Sequence, residues 1–161
     1  MGVKVMAKDN VTPIGIVVDD GYRRVPIFNS DGEENGYFRF NPTDINIIAR
    51  YNDMVKNFDS IVEPLARFSD GPEDEVNENS VKYIEAMEAA KERLYEAVNK
   101  LFGADAASAF FGKVHPFSPV DGRFYCEVVL NSVGKYISQQ FELETTKIER
   151  RISKYTKKYK K

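Results

Sequence analysis

The chain has 161 residues, 42% of them hydrophobic and 30% charged, with a net charge of −2. This is one domain's length, able to bury roughly 68–70% of its unfolded surface, and a globular rather than a disordered or fibrous composition. Cys126 is the one cysteine and His115 the one histidine, which excludes an internal disulfide and a zinc site built mainly from Cys and His.

The N-terminus opens on three β-like runs, Ile14–Val18, Tyr22–Phe28 and Tyr37–Phe40, separated by Asp20-Gly21, Asp31-Gly32 and Asn35-Gly36. Turn formers between β-rich runs predict a small antiparallel meander. Phe38 and Phe40 share one face of it by period-two alternation, and Pro26 suits an edge. Three short strands need a helix to cover their apolar face.

A helix is predicted to follow at once, with Asn41 as its cap, Pro42 at its first position and Asp44 in its first turn. Ile45, Ile48, Tyr51, Val55, Phe58, Val62 and Leu65 recur at three- and four-residue steps along it. Seven such side chains would contribute roughly 10–20 kcal/mol gross on burial. Pro64 should bend or end the helix. The acidic, Gly- and Pro-broken stretch from Ser69 to Asn79 reads as an exposed connection.

Ser80 is the expected cap of a second helix, with Val81, Ile84, Met87, Leu94, Val98 and Leu101 as its buried stripe, Lys91 interrupting it and Gly103 stopping it. A short third helix, Asp105 to Phe111, lies between Gly103 and Gly112. The prolines of His115–Pro119 forbid a continuous helix there. The last helix is expected from near Asp121. It carries Phe124, Tyr125, Val128, Val129, Val133, Tyr136, Ile137 and Phe141, then continues more weakly through Ile148, Ile152, Tyr155 and Tyr159. Unbroken, it would run about 60 Å, beyond the body of one small domain.

The expected fold is therefore mainly α. Three to four helices form residues 41–141, with an N-terminal β-meander within residues 1–40 packed on them and a basic amphipathic helix or tail over 142–161. Charge follows the same division. Lys147 to Lys161 hold eight Lys/Arg and one acid, leaving a net −9 on the remainder. No run approaches the ~20 apolar residues of a membrane span and no secretory h-region is present, so a cytoplasmic location without membrane contact is expected.

Familiar phosphate loops, dinucleotide turns, zinc-protease pairs, nucleophile elbows and calcium loops are missing. Cys126 with His115 is the best nucleophile pairing, yet Cys126 falls among Phe124, Tyr125 and Val128, where a thiol is ordinarily buried and inert. The acidic clusters at Asp19-Asp20, Asp31/Glu33/Glu34 and Glu73/Asp74/Glu75 fall in predicted turns and read as solvated charge. No catalytic role, cofactor or metal is expected. The tail residues Lys147, Arg150, Arg151, Lys154, Lys157 and Lys158, interleaved with Tyr155 and Tyr159, could neutralise phosphates and stack on bases, or form a solvated or protein-docking helix end.

Two segments carry a resemblance. One is the step from strand to helix, Arg23-Arg-Val-Pro-Ile-Phe-Asn-Ser-Asp-Gly32 with Phe38-Arg-Phe-Asn-Pro-Thr-Asp-Ile-Asn-Ile-Ile-Ala-Arg-Tyr51. The other is Leu101-Phe-Gly-Ala-Asp-Ala-Ala-Ser-Ala-Phe-Phe-Gly112 with the helix from Phe124 to Ile137. Over about half its length the chain resembles the tail assembly chaperones of siphophages that infect Gram-positive bacteria. The long basic tail and extended meander depart from that pattern. The resemblance implies a nonstructural protein that coats the helical tape measure protein, keeps it soluble and helps recruit tail tube subunits. It also implies a longer frameshifted form beside this one. A homo-oligomer is a further possible assembly. Phe58, Val62, Leu65, Phe110, Phe111, Phe117, Tyr136 and Phe141 are the candidate contact residues, laid against a partner as in helix-in-groove recognition. The alternative partner is a nucleic acid, bound by the basic tail.

Overall fold

The computed structural model describes residues 14–66 and 76–159. The acidic connection expected over 69–79 falls largely outside them, as do Met1–Pro13, the side chains of Lys158 and Tyr159, and the last two lysines. The described chain is mainly helical, with a two-stranded N-terminal sheet and a long C-terminal helix.

Strands β1 (Arg23–Phe28) and β2 (Glu34–Phe40) pair antiparallel, Val25 opposite Phe38, with an irregularity between Ile27 and Phe28. Asn29 builds the turn between them: its side-chain Oδ1 accepts from the amides of Asp31 and Glu33, both at 2.9 Å. Gly32 there takes φ +83°, a left-handed conformation that costs glycine little. Val25, Phe38 and Phe40 face inward, while Arg24 on the outer face lies 4.0 Å from the ring centre of Tyr37.

The third strand of the expected meander does not form. Ile14, Ile16, Val17 and Val18 are all more than two-thirds exposed and join no ladder. Asp19 and Asp20 take the amides of Gly21 and Tyr22 in local turns, and the Asn41 side chain donates to the Asp20 carbonyl at 2.7 Å. The last of these contacts holds the segment ahead of β1 beside the end of β2. Asn35-Gly36 is also not a turn but part of β2. Its glycine serves close approach instead: a Cβ there would stand 3.2 Å from the Ala109 backbone.

The first helix starts later than expected. Asn41 holds a turn through Thr43, and Asp44 caps α1 (Ile45–Lys56) by accepting from the Asn46 amide at 2.9 Å. The predicted single helix is broken at Asn57, after which α2 (Phe58–Ala66) contains Pro64 near its end. The buried face is rotated from the predicted stripe. Ile47, Tyr51 and Ile61 are buried, whereas Ile45 is 72% and Val55 48% exposed.

Helix α3 (Val76–Phe102) is already helical at Val76, so Ser80 lies inside it rather than capping it. Its core contacts are Ala86, Ala90, Leu94, Val98 and Phe102; Val81 and Ile84, expected inside, are exposed. The 27-residue helix is about 40 Å long, and its first turns carry Val81 and Ile84 on the solvent side. Lys91 lies over the Tyr95 ring at 5.4 Å. Gly103, at φ +116°, ends the helix as expected.

Helix α4 (Ala106–Phe111) follows, and Asn99 of α3 accepts from the Ala107 amide at 2.8 Å. Five of its six residues are buried. Helix α5 (Tyr125–Tyr159) does not begin near Asp121. A small hairpin of β3 (Pro119–Val120) and β4 (Arg123–Phe124) intervenes. Asp121 and Gly122 both have positive φ, +51° and +79°, as a tight hairpin turn requires. Glu127 then accepts from the Phe124 amide at 2.8 Å and fixes the helix start.

The core sits between the inner face of the hairpin and helices α3, α4 and α5. Phe38, Phe40, Phe102 and Phe110 meet with ring centres 4.8–5.7 Å apart, in stacked, tilted and edge-on arrangements. Tyr51 ties α1 to α5, its hydroxyl donating to the Leu130 carbonyl beside Gly134. A Cβ at Gly134 would stand 3.1 Å from that hydroxyl.

Candidate functional site

The predicted contact residues separate into three groups. Phe110, Phe111 and Phe117 are wholly buried and offer a partner no surface, correcting their assignment as contact residues. Their sequence stripe is real, but it is consumed by the β-hairpin and by Phe102, Tyr95, Tyr125 and Phe124. Phe58, Val62, Leu65 and Tyr136 are half-buried against the core. Only Phe141 of the set is exposed, at 38%.

Beyond Ile137, α5 buries no residue among those described. Leu143, Ile148, Ile152 and Tyr155 are each 50% exposed or more. At about 100° per residue, Phe141, Ile148, Ile152 and Tyr155 fall within roughly 60° of one another on the helix surface. Their steps of seven, four and three residues are those of a heptad seam. Arg151, Lys147 and Lys154 lie along one flank of that stripe, with Arg150 and Lys157 behind them, while Thr156, Glu149 and Ser153 lie along the other. All five of these cations are exposed. Arg151 donates to the Tyr155 hydroxyl at 2.7 Å and rests 5.4 Å from its ring centre. Lys147 pairs with Glu144 at 3.2 Å.

A second surface lies where α1 and α2 meet α5. It is a groove of about 590 Å³ with Ile48, Val55 and Phe58 on one wall and Leu130, Gly134 and Ile137 on the other. Asn52, Asn131, Lys135 and Ser138 rim it. The sequence marked Val55 as a core residue; its exposure follows from the rotation of α1 about its axis.

The reactive side chains are held quiet. Cys126 is fully buried, and burial, with the Glu127 charge adding to it, pushes its thiol up to about 12. His115 Nδ1 accepts from the Phe117 amide at 3.1 Å, and Nε2 lies 3.3 Å from Glu88 without the alignment of a hydrogen bond. Among the described residues, no grouping of three or more His, Cys, Asp or Glu could hold a metal ion. No described helix is long and apolar enough to cross a membrane. Compared with known proteins, the chain matches no family model, no curated protein and no solved structure.

Proposed function

We propose that this chain is an assembly chaperone that binds a long helical protein through the outer half of α5. The observation that carries the reading is the stripe of Phe141, Ile148, Ile152 and Tyr155, exposed on a helix that has left the body of the domain. Side chains of this kind gain about 1.5–3 kcal/mol each when covered, and a helix without tertiary contacts has little else to hold it. An apolar seam on a projecting helix is the usual means of helix-to-helix recognition. The resemblance of Arg23–Gly32 with Phe38–Tyr51, and of Leu101–Gly112 with Phe124–Ile137, to siphophage tail assembly chaperones supports naming the partner as the tape measure protein, with tail tube subunits recruited afterwards.

Co-expression tests this. A tape measure fragment that aggregates alone should stay soluble with the full chain, with a salt dependence much shallower than that of phosphate binding. Removal of residues 142–161 should abolish the rescue. A fragment that stays insoluble beside the intact chain overturns the reading.

The one-sided row of cations on α5 favours a second reading, nucleic-acid binding. That reading requires affinity for duplex or single-stranded nucleic acid that falls steeply with salt and disappears with the tail. It gives the apolar stripe no role.

A further inference from the structure

We infer that the partner of α5 is an amphipathic helix whose seam is apolar and whose flank bears a row of carboxylates. This deepens, and rests on, the docking reading above. The stripe supplies a face from Phe141 to Tyr155, about 21 Å long. Its seven-residue period matches a second helix packed alongside it rather than a flat surface.

Charge selects the kind of helix. Residues 147–158 carry six Lys/Arg against one acid, Glu149. Arg151 and Lys154 line the same edge of the stripe, with Lys147 partly neutralised by Glu144. Arg151 is already held beside the seam by Tyr155, so a carboxylate on an incoming helix meets a guanidinium in place. Flanking charges set partner choice and orientation in paired helices.

The same arithmetic argues against a second copy of this segment. Side by side in parallel, Glu144 of one helix meets Glu149 of the other. Antiparallel with Ile148 packed on Ile152 of the other helix, Arg151 faces Arg151 and Glu149 faces Glu149 across the seam. Nucleic acid would take the cations but leave Ile148 and Ile152 uncovered.

The test uses the full chain and two synthetic four-heptad helices, alike in an Ile/Leu seam, one with Glu and one with Lys at the flanking positions. Fluorescence anisotropy should show the Glu-flanked helix binding at least about tenfold more tightly. Ile152→Asp should weaken that binding about a hundredfold, and Arg151→Glu should erase the preference between the two probes while circular dichroism stays unchanged. Equal binding of both probes leaves helix docking intact and overturns the acidic partner. Binding of neither overturns the inference whatever the tape measure co-expression gives. A dimer of the free chain that Ile152→Asp dissociates makes the occupant a second copy, and duplex DNA binding that survives Ile152→Asp makes it a nucleic acid. Either result overturns the inference.

Discussion

The aromatic core and the outer half of α5 are built from similar apolar residues and end in opposite situations. Around Phe110, rings from β2, α3 and α4 close on one another until no water reaches them. Along Phe141–Tyr155 the same kind of residue recurs with comparable regularity and meets solvent. The difference lies in what stands opposite. The core stripes face elements that the chain itself supplies within the body of the domain, whereas beyond Ile137 α5 buries none of its described residues. Helical periodicity thus marks a face that must be covered, and the tertiary structure decides by what.

Substitution should separate the two regions sharply. Phe110→Ala opens a cavity among fully packed rings and should lower unfolding free energy by about 3–5 kcal/mol in chemical denaturation. A loss under about 1 kcal/mol would show the ring cluster to be loosely packed. Gly134→Val places branched carbon against the Tyr51 ring, where even a Cβ is crowded. It should cost about 1–3 kcal/mol by overpacking, and an unchanged stability would mean that α1 can draw back freely.

Tyr51→Phe removes the hydroxyl's bond to Leu130 and should cost about 1 kcal/mol. The same hydroxyl gives a pH dependence. Burial pushes the Tyr51 phenol up to about 12 and, with Glu127, the Cys126 thiol likewise. The folded state therefore holds both protons more tightly than the unfolded chain does. Their contribution is complete below the ordinary values of 10 and 9 and is lost as pH rises toward 12. Thermal unfolding followed from pH 8 to 11 should show a falling midpoint, less steep in the Tyr51→Phe, Cys126→Ala double variant. An equal slope in that variant would assign the loss to other groups.

At the other extreme, Ile148→Asp and Ile152→Asp should change stability by less than about 0.5 kcal/mol, because neither side chain supports the fold. Denaturation midpoints would check this. A large loss would mean that the outer helix packs on the body in solution and would remove the contrast between the two regions.

Much of this was legible in the residues because it depends on local chemistry. Inward-facing Phe38 and Phe40 follow from alternation, the end of α3 from Gly103, and the short α4 from the glycines that bracket it. Asp121-Gly122 carried an equally local hairpin signal that the apolar run after it concealed, and Asn35-Gly36 carried a turn signal that the structure uses for close packing.

By itself, then, the sequence determined a mainly helical chain with a small antiparallel sheet, a long last helix and a basic end, because helix and strand periods, caps and turn residues act over a few positions. Only the tertiary structure decided that Phe110, Phe111 and Phe117 are sealed while Phe141 is open, and that Val81, Ile84 and Ile14–Val18 are exposed. It also decided that α1 turns Ile47 rather than Ile45 inward. Periodicity fixes which side chains share a face, but burial depends on how far each helix extends past its neighbours, a length that no local window of residues contains.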